Sequence, residues 1–167
     1  HALWPQEVVS KKYRRLGIGI TGLADMLLKM GLRYDSNEAL SLVEQIMSLK
    51  NECEYDASAE LAREKGKCPG FDFELFSKTT VWDNLTPQTQ EKIKLYGLRN
   101  IATSTVAPVG TGSIIAQVDG SGLEPLFRAK YERRVKKDDG QGYDNYVVYA
   151  NIIKQLFSDK LDNLPSY

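Results

Sequence analysis

Between residues 36 and 65 apolar side chains recur at spacings of three and four: Ala39, Leu42, Ile46, Leu49, Cys53, Ala57 and Leu61. That spacing lays them along one face of a long helix. Ser36 stands at the capping position, Asn37 and Glu38 fall in the first turn, and Lys65-Gly66 marks the end. Cys53 lies on the stripe, so the pattern assigns it to core packing. A shorter helix is predicted over 23–30, stopped by Gly31. Another is predicted over 88–96, where Thr86-Pro87 supply the cap and first position and Gly97 the stop.

Elsewhere the pattern is shorter or irregular. Residues 101–107 are rich in β-branched side chains and read as a buried or half-buried strand ended by Pro108. The helix over 88–96 feeding this strand is a helix-to-strand step of the α/β kind. Ile114, Ile115 and Ala116 suit the start of a short helix. Asp119 to Gly122 reads as a turn, and Pro125 favours an extended 123–127. FRAKYERRV, 127–135, reads as a strand with a basic end, and KKDDGQGYDN, 136–145, as a loop. Residues 146–157 suit a strand running into a helix, a choice periodicity alone leaves open. Phe71, Phe73, Phe76 and Trp82 mark an irregular connection pinned to the body by aromatic rings. The first fifteen residues are polar, with an entry turn at Trp4-Pro5 and a solvated cluster of Lys11, Lys12, Arg14 and Arg15. The last ten read as a linker. No repeat, low-complexity tract or domain boundary is visible, so residues 1–167 are taken as a single segment.

Charge and composition narrow the function. With 22 basic and 22 acidic residues the chain has no bias towards DNA, RNA or an anionic membrane surface. No apolar run approaches the ~20 residues that span a bilayer, and the N-terminal residues lack a secretory pattern, so a soluble cytoplasmic protein is expected. Cys53, Cys68 and His1 do not make a metal site, and a disulfide is not expected in a reducing compartment.

Two stretches carry candidate chemistry. The first is Pro108, Val109, Gly110, Thr111, Gly112 and Ser113. A Gly/Thr/Ser turn between a strand and a helix start gathers backbone N–H groups that bind an anion, most naturally a phosphate. The same residues also suit a plain loop whose serine caps the next helix. The second stretch, Gly17-Ile18-Gly19-Ile20-Thr21-Gly22, fits the dinucleotide fingerprint, with Asp35 or Glu38 as the ribose acid. The preceding KKYRRL is not the apolar strand this fingerprint requires, so the glycines are better read as allowing close packing at a helix start.

The run ATSTVAPVGTGSIIA at 102–116, followed by SGLEPLF at 121–127, resembles the substrate-phosphate segment of ribonucleotide reductase large chains, most closely the adenosylcobalamin-dependent type. RRLGIGITGLADMLLKMG at 14–31 is similar to a helical segment of the same family. The likeness runs from about Lys12 to about Val135. Val109 stands where Thr or Ser is usual and Gly112 where Ile is usual. Cys68 replaces a frequent aromatic residue and is expected to be a small packing residue.

The resemblance implies part of a ten-stranded α/β barrel, helix-rich in its first half, within an enzyme that makes deoxyribonucleotides by thiyl-radical chemistry. It implies adenosylcobalamin as cofactor, a ribonucleoside di- or triphosphate as substrate, the remaining parts of the reductase chain as partners, and dNTP effectors. Pro108 to Ser113 would hold the substrate phosphate, with Thr111 and Ser113 adding hydroxyl donors. No catalytic residue is assigned, because the family's N-L-C-x-E-I segment and electron-delivering cysteine pair match neither Cys53 nor Cys68. The chain is therefore expected to be an internal segment, inactive alone. The alternatives are a NAD-binding oxidoreductase domain using Gly17–Gly22, and a non-catalytic helical interaction module. The latter is favoured if the long helix exposes a second apolar face.

Overall fold

A computed structural model describes residues 3–138 and 140–163. In chain order the elements are α1 (Trp4–Tyr13), α2 (Leu23–Lys29), α3 (Asn37–Lys65), α4 (Phe73–Phe76), α5 (Thr80–Asp83), α6 (Pro87–Tyr96), α7 (Thr111–Ala116), β1 (Lys130–Lys136), β2 (Tyr143–Tyr149), α8 (Asn151–Phe157) and a 3₁₀ helix, Ser158–Asn163. They gather into two compact units. One holds the residues up to Gly19 and Leu40–Ala107; the other holds Ile20–Ala39 and the residues from Pro108 onward.

The first unit is built on α3. Tyr55 and Ala59 from this helix pack with Cys68, Phe71, Phe76, Leu85, Ile93 and Leu98. The aromatic connection pins α4 and α5 as its composition suggests: the Phe73 and Trp82 rings meet edge-on at 5.4 Å, and Tyr55 and Phe76 lie 5.6 Å apart. The face that α3 buries here is not the periodic stripe. Tyr55, Ser58, Ala59 and Ala62 are buried, while Leu49 is 66% exposed and Cys53 is also exposed. Core packing of Cys53 is thus overturned. At 100° per residue, Tyr55 and Ala59 lie roughly opposite Cys53 and Ala57, and their small neighbours Ser58 and Ala62 let other segments approach. Cys68 is fully buried, as expected.

Ser58 shows why the small face is inside. Its hydroxyl donates to the Asn100 carbonyl at 3.2 Å and accepts the Asn100 N–H at 2.9 Å, while the Asn100 amide donates to the Arg14 carbonyl at 2.7 Å. These bonds align 16–19 with 101–105. Leu16 N–H donates to Ala102, Ile18 N–H to Thr103, and Thr105 N–H back to Ile18. The expected strand over 101–107 is therefore only a single parallel bridge, Ile18 to Ser104. Gly17 and Gly19 serve this pairing rather than a helix start. A Cβ on Gly17 would meet Thr105 Cγ2 at 3.2 Å, and one on Gly19 would meet the Thr105 carbonyl oxygen at 3.2 Å. The entry turn at Trp4-Pro5 is instead the start of α1, because proline in the first turn loses no helical hydrogen bond. No residue of α1 is buried, in keeping with a solvated polar segment.

In the second unit α2 packs against α8. Ala150, Ile152 and Ile153 form a small core with Leu126, Ala129 and Leu161. Leu161 belongs to the 3₁₀ helix, so the linker expected over the last ten residues is structured at least to Asn163; residues 164–167 lie outside the described residues. β1 and β2 form one antiparallel hairpin with Lys130 opposite Tyr149 and Lys136 opposite Tyr143. The loop is shorter than the 136–145 expected from composition, because Tyr143 pairs already. The described residues contain this two-stranded sheet and no closed barrel. No helix among them is long and apolar enough to cross a membrane.

Candidate functional site

Pro108, Val109 and Gly110 form a short exposed loop in the second unit that runs into the first turn of α7, Thr111, Gly112 and Ser113. Gly110 is the residue before α7 and has φ +60° and ψ −126°, a conformation that side-chain-bearing residues rarely adopt. Gly112 is needed for another reason: a Cβ there would meet Val109 Cγ1 at 2.7 Å.

The backbone donors are not all free. Val109 N–H donates to the Ser121 carbonyl at 2.5 Å, Gly112 N–H to Val109 at 3.3 Å, and Ser113 N–H to Gly110 at 3.1 Å. The buried Ser113 hydroxyl donates to the Gly110 carbonyl at 2.7 Å, so it builds the loop and does not point out as an expected phosphate donor. Among the described residues no partner meets the N–H groups of Gly110 and Thr111 or the Thr111 hydroxyl. The loop therefore offers three donors at its tip, two of them main-chain. Val109 needs no hydroxyl for this arrangement; its side chain covers Gly112 instead.

A second layer of residues holds the loop. Val118 N–H donates to the Ser113 carbonyl at 3.0 Å. The Glu124 carboxylate accepts from both the Ser121 N–H and the Ser121 hydroxyl, the latter at 3.0 Å. Hydrogen bonds to its own and the Ser121 backbone hold the Glu124 carboxyl below its ordinary range. The Tyr34 hydroxyl donates to the Leu123 carbonyl at 2.7 Å. Sequence reasoning passed over these supports. Ser121 and Glu124 carried a readable signal, since S-x-x-E is the spacing at which a carboxylate reaches back to a backbone N–H. Tyr34 carried none, because 89 positions separate it from its partner.

The second sequence candidate does not gather into a dinucleotide site. Gly17 and Gly19 lie against Thr105, and the exposed Asp35 carboxylate is paired with Arg33 at 2.6 Å. The single histidine, His1, lies outside the described residues. Cys68 is buried in the apolar core of the first unit, and Cys53 is exposed on α3.

Residues 4–164 match the family described as ribonucleotide reductase, barrel domain. The chain is 38% identical over 127 residues to a vitamin B12-dependent ribonucleoside-diphosphate reductase of Thermoplasma acidophilum, covering 76% of this chain and 14% of that protein. It is 33% identical over 122 residues to a protein of the same description from Mycobacterium tuberculosis, covering 73% of this chain and 15% of that protein. It is also 30% identical over 170 residues to the ribonucleoside-diphosphate reductase large subunit of variola virus, covering 94% of this chain and 22% of that one. The chain belongs to the ribonucleotide reductase family and corresponds to a segment of its barrel domain. It spans between about a seventh and about a fifth of the length of these relatives.

Proposed function

We propose that this chain is one incomplete segment of a cytoplasmic ribonucleotide reductase, and that Pro108 to Ser113 take the phosphate groups of the ribonucleotide substrate. The observation that carries the reading is the unpartnered set at the loop tip: the Gly110 and Thr111 N–H groups and the Thr111 hydroxyl. A phosphate bound there gains charge-assisted hydrogen bonds, each contributing on the order of 1.5–3 kcal/mol. Pro108 and Val109 set the loop's approach, Gly112 leaves room for Val109, and Ser113 closes the turn. Three of the relatives are named as ribonucleoside-diphosphate reductases, which favours a diphosphate.

The B12-dependent relatives support adenosylcobalamin as the radical source of the complete enzyme. When bound it would supply the radical that starts ribose reduction. The described residues do not fit a site for it: they hold no histidine to ligate cobalt, and Cys68 is enclosed by Phe71, Phe76 and Leu98. The rest of the reductase chain and dNTP effectors are the other partners in this reading.

The phosphate loop is tested by substrate affinity in a complete reductase carrying this segment. Gly110→Ala should weaken substrate binding because φ +60° becomes strained; a Cβ there has nothing within 4 Å, so backbone conformation rather than a clash is the cause. Thr111→Val, which removes one hydroxyl, should weaken binding by about tenfold. Normal affinity in Gly110→Ala, with folding unchanged, would reduce the loop to a turn.

A second reading, a helical interaction module without chemistry, draws on the open part of the apolar stripe of α3, where Leu49 and Cys53 are exposed. Contact between this stripe and other parts of a reductase accounts for it equally well, and family membership favours the reductase.

A further inference from the structure

The geometry points to Asp25 of α2 as a positioning residue for the phosphate loop, acting through the backbone of Asp119. The inference rests on the reading of Pro108–Ser113 given above. Both ends of that loop are tied to one short stretch: Ser113 accepts the Val118 N–H at 3.0 Å, and Val109 donates to the Ser121 carbonyl at 2.5 Å. Wherever 118–121 sits, the loop must follow.

Three ties fix that stretch, and Asp25 supplies the one made to its backbone N–H. Asp25 Oδ2 accepts the Asp119 N–H at 3.0 Å. The Asp119 carboxylate accepts the N–H groups of Asn151 and Ile152, each at 2.7 Å, satisfying donors at the start of α8. The Thr21 hydroxyl donates to the Gly120 carbonyl at 3.3 Å. Gly22 completes the fit, because a Cβ there would meet Val118 Cγ1 at 2.9 Å; its absence lets the start of α2 lie against the stretch.

Asp25 is a costly way to accept one N–H. It is 8% exposed, and burial raises its carboxyl above the ordinary range; the nearby Asp119 charge adds to this, while the Asp119 N–H and Lys29 oppose it. What the site requires of Asp25 is a rigid acceptor oxygen at that distance, which an amide also provides. Asp25 also lines a cavity of about 400 Å³ together with Gln117 and Val118, so its side chain has little else in the fold to hold.

The test uses a complete reductase carrying this segment, with steady-state kinetics on a ribonucleoside diphosphate and hydrogen exchange over 109–121. Asp25→Ala should raise KM by about five- to tenfold, leave kcat of the folded enzyme unchanged, and speed exchange in this stretch. Asp25→Asn should behave like the parent, since it keeps the acceptor. Asp25→Ser, whose hydroxyl is too short to reach, provides a second acceptor-deficient variant should Asp25→Ala fold poorly. Gly110→Ala separates the two readings. If it raises KM while Asp25→Ala and Asp25→Ser do not, the positioning role is wrong and the phosphate loop stands. If none of the three changes KM, the phosphate-loop reading itself falls. If Asp25→Asn is as impaired as Asp25→Ala, or if the alanine and serine variants lose kcat with KM unchanged, Asp25 acts in some other way and the inference is overturned.

Discussion

Cys53 and Cys68 are chemically identical, and their surroundings make them opposites. Cys68 has no exposed surface and packs among Tyr55, Phe71 and Leu98, whereas Cys53 is open on α3. In the 167-residue chain, Cys53→Ala should change stability by no more than about 0.5 kcal/mol, while Cys68→Ala should cost about 1 kcal/mol or more. Chemical denaturation measures both, and alkylation under native conditions should label Cys53 alone. Equal costs, or labelling of Cys68 first, would reverse the assignment of the buried face of α3. Ser113 makes a related point about hydroxyls: one that donates to Gly110 within the loop has already used its proton and offers a phosphate only its acceptor lone pairs.

At the scale of elements, helix ends decide how α3 and α6 are joined. The Glu52 carboxylate of α3 accepts the Thr86 N–H at 3.0 Å, the Thr86 hydroxyl at 2.6 Å and the Thr89 hydroxyl at 2.5 Å, at the start of α6. Partial burial tends to raise its pKa, but these bonds and the Lys92 charge outweigh that and hold it below its ordinary value of 4.5. The unfolded chain then binds more protons than the folded one around this pH. The contribution of Glu52 is complete above 4.5 and lost as pH falls through the lower folded value. Glu52→Gln should therefore lower the melting temperature near neutral pH, and the gap to the parent should close as pH falls below 4.5. A gap that stayed constant across this range would show that the carboxylate charge is not what α6 uses. The C-terminal end of α3 is closed by Arg99, whose guanidinium donates to the Lys65 and Gly66 carbonyls at 2.9 and 3.0 Å.

For the molecule as a whole, exposed apolar surface is the dominant feature. Leu49, Ile115 at 86% and Phe127 at 90% exposure are large side chains in contact with water. They suit a segment matching 14–22% of its relatives' length. These 167 residues should show no ribonucleotide reduction by themselves, because neither Cys53 nor Cys68 stands in the family's radical or electron-delivering segments. Incubation with a ribonucleoside diphosphate, adenosylcobalamin and a dithiol, followed by analysis for deoxyribonucleotide, should give none. Product formation would mean that the chemistry had been assigned to the wrong residues.

Local order was legible in the sequence wherever a single residue type dictates the backbone. Gly31 and Gly97 stop their helices, Ser36 and Thr86 cap theirs, and the Pro-Val-Gly-Thr-Gly-Ser run was recognisable as a loop entering a helix. The ordered motifs at 102–116 and 121–127 also pointed to the family, because they preserve a sequence of turn chemistries that few folds need. Periodicity could not tell which face of α3 is inside this chain: it records every apolar contact a helix makes, including those with protein beyond these residues. Nor could it show that 101–107 would pair at only one bridge, since β-branched composition fits an extended backbone whether or not a full partner strand lies beside it. The supports of the loop were hidden for a geometric reason. Asp25 is 94 positions from Asp119, and Asp119 is 32 from Asn151. Only the tertiary structure brings a carboxylate, a backbone N–H and a helix start to one point, so only it decides which groups at Pro108–Ser113 are left without a partner.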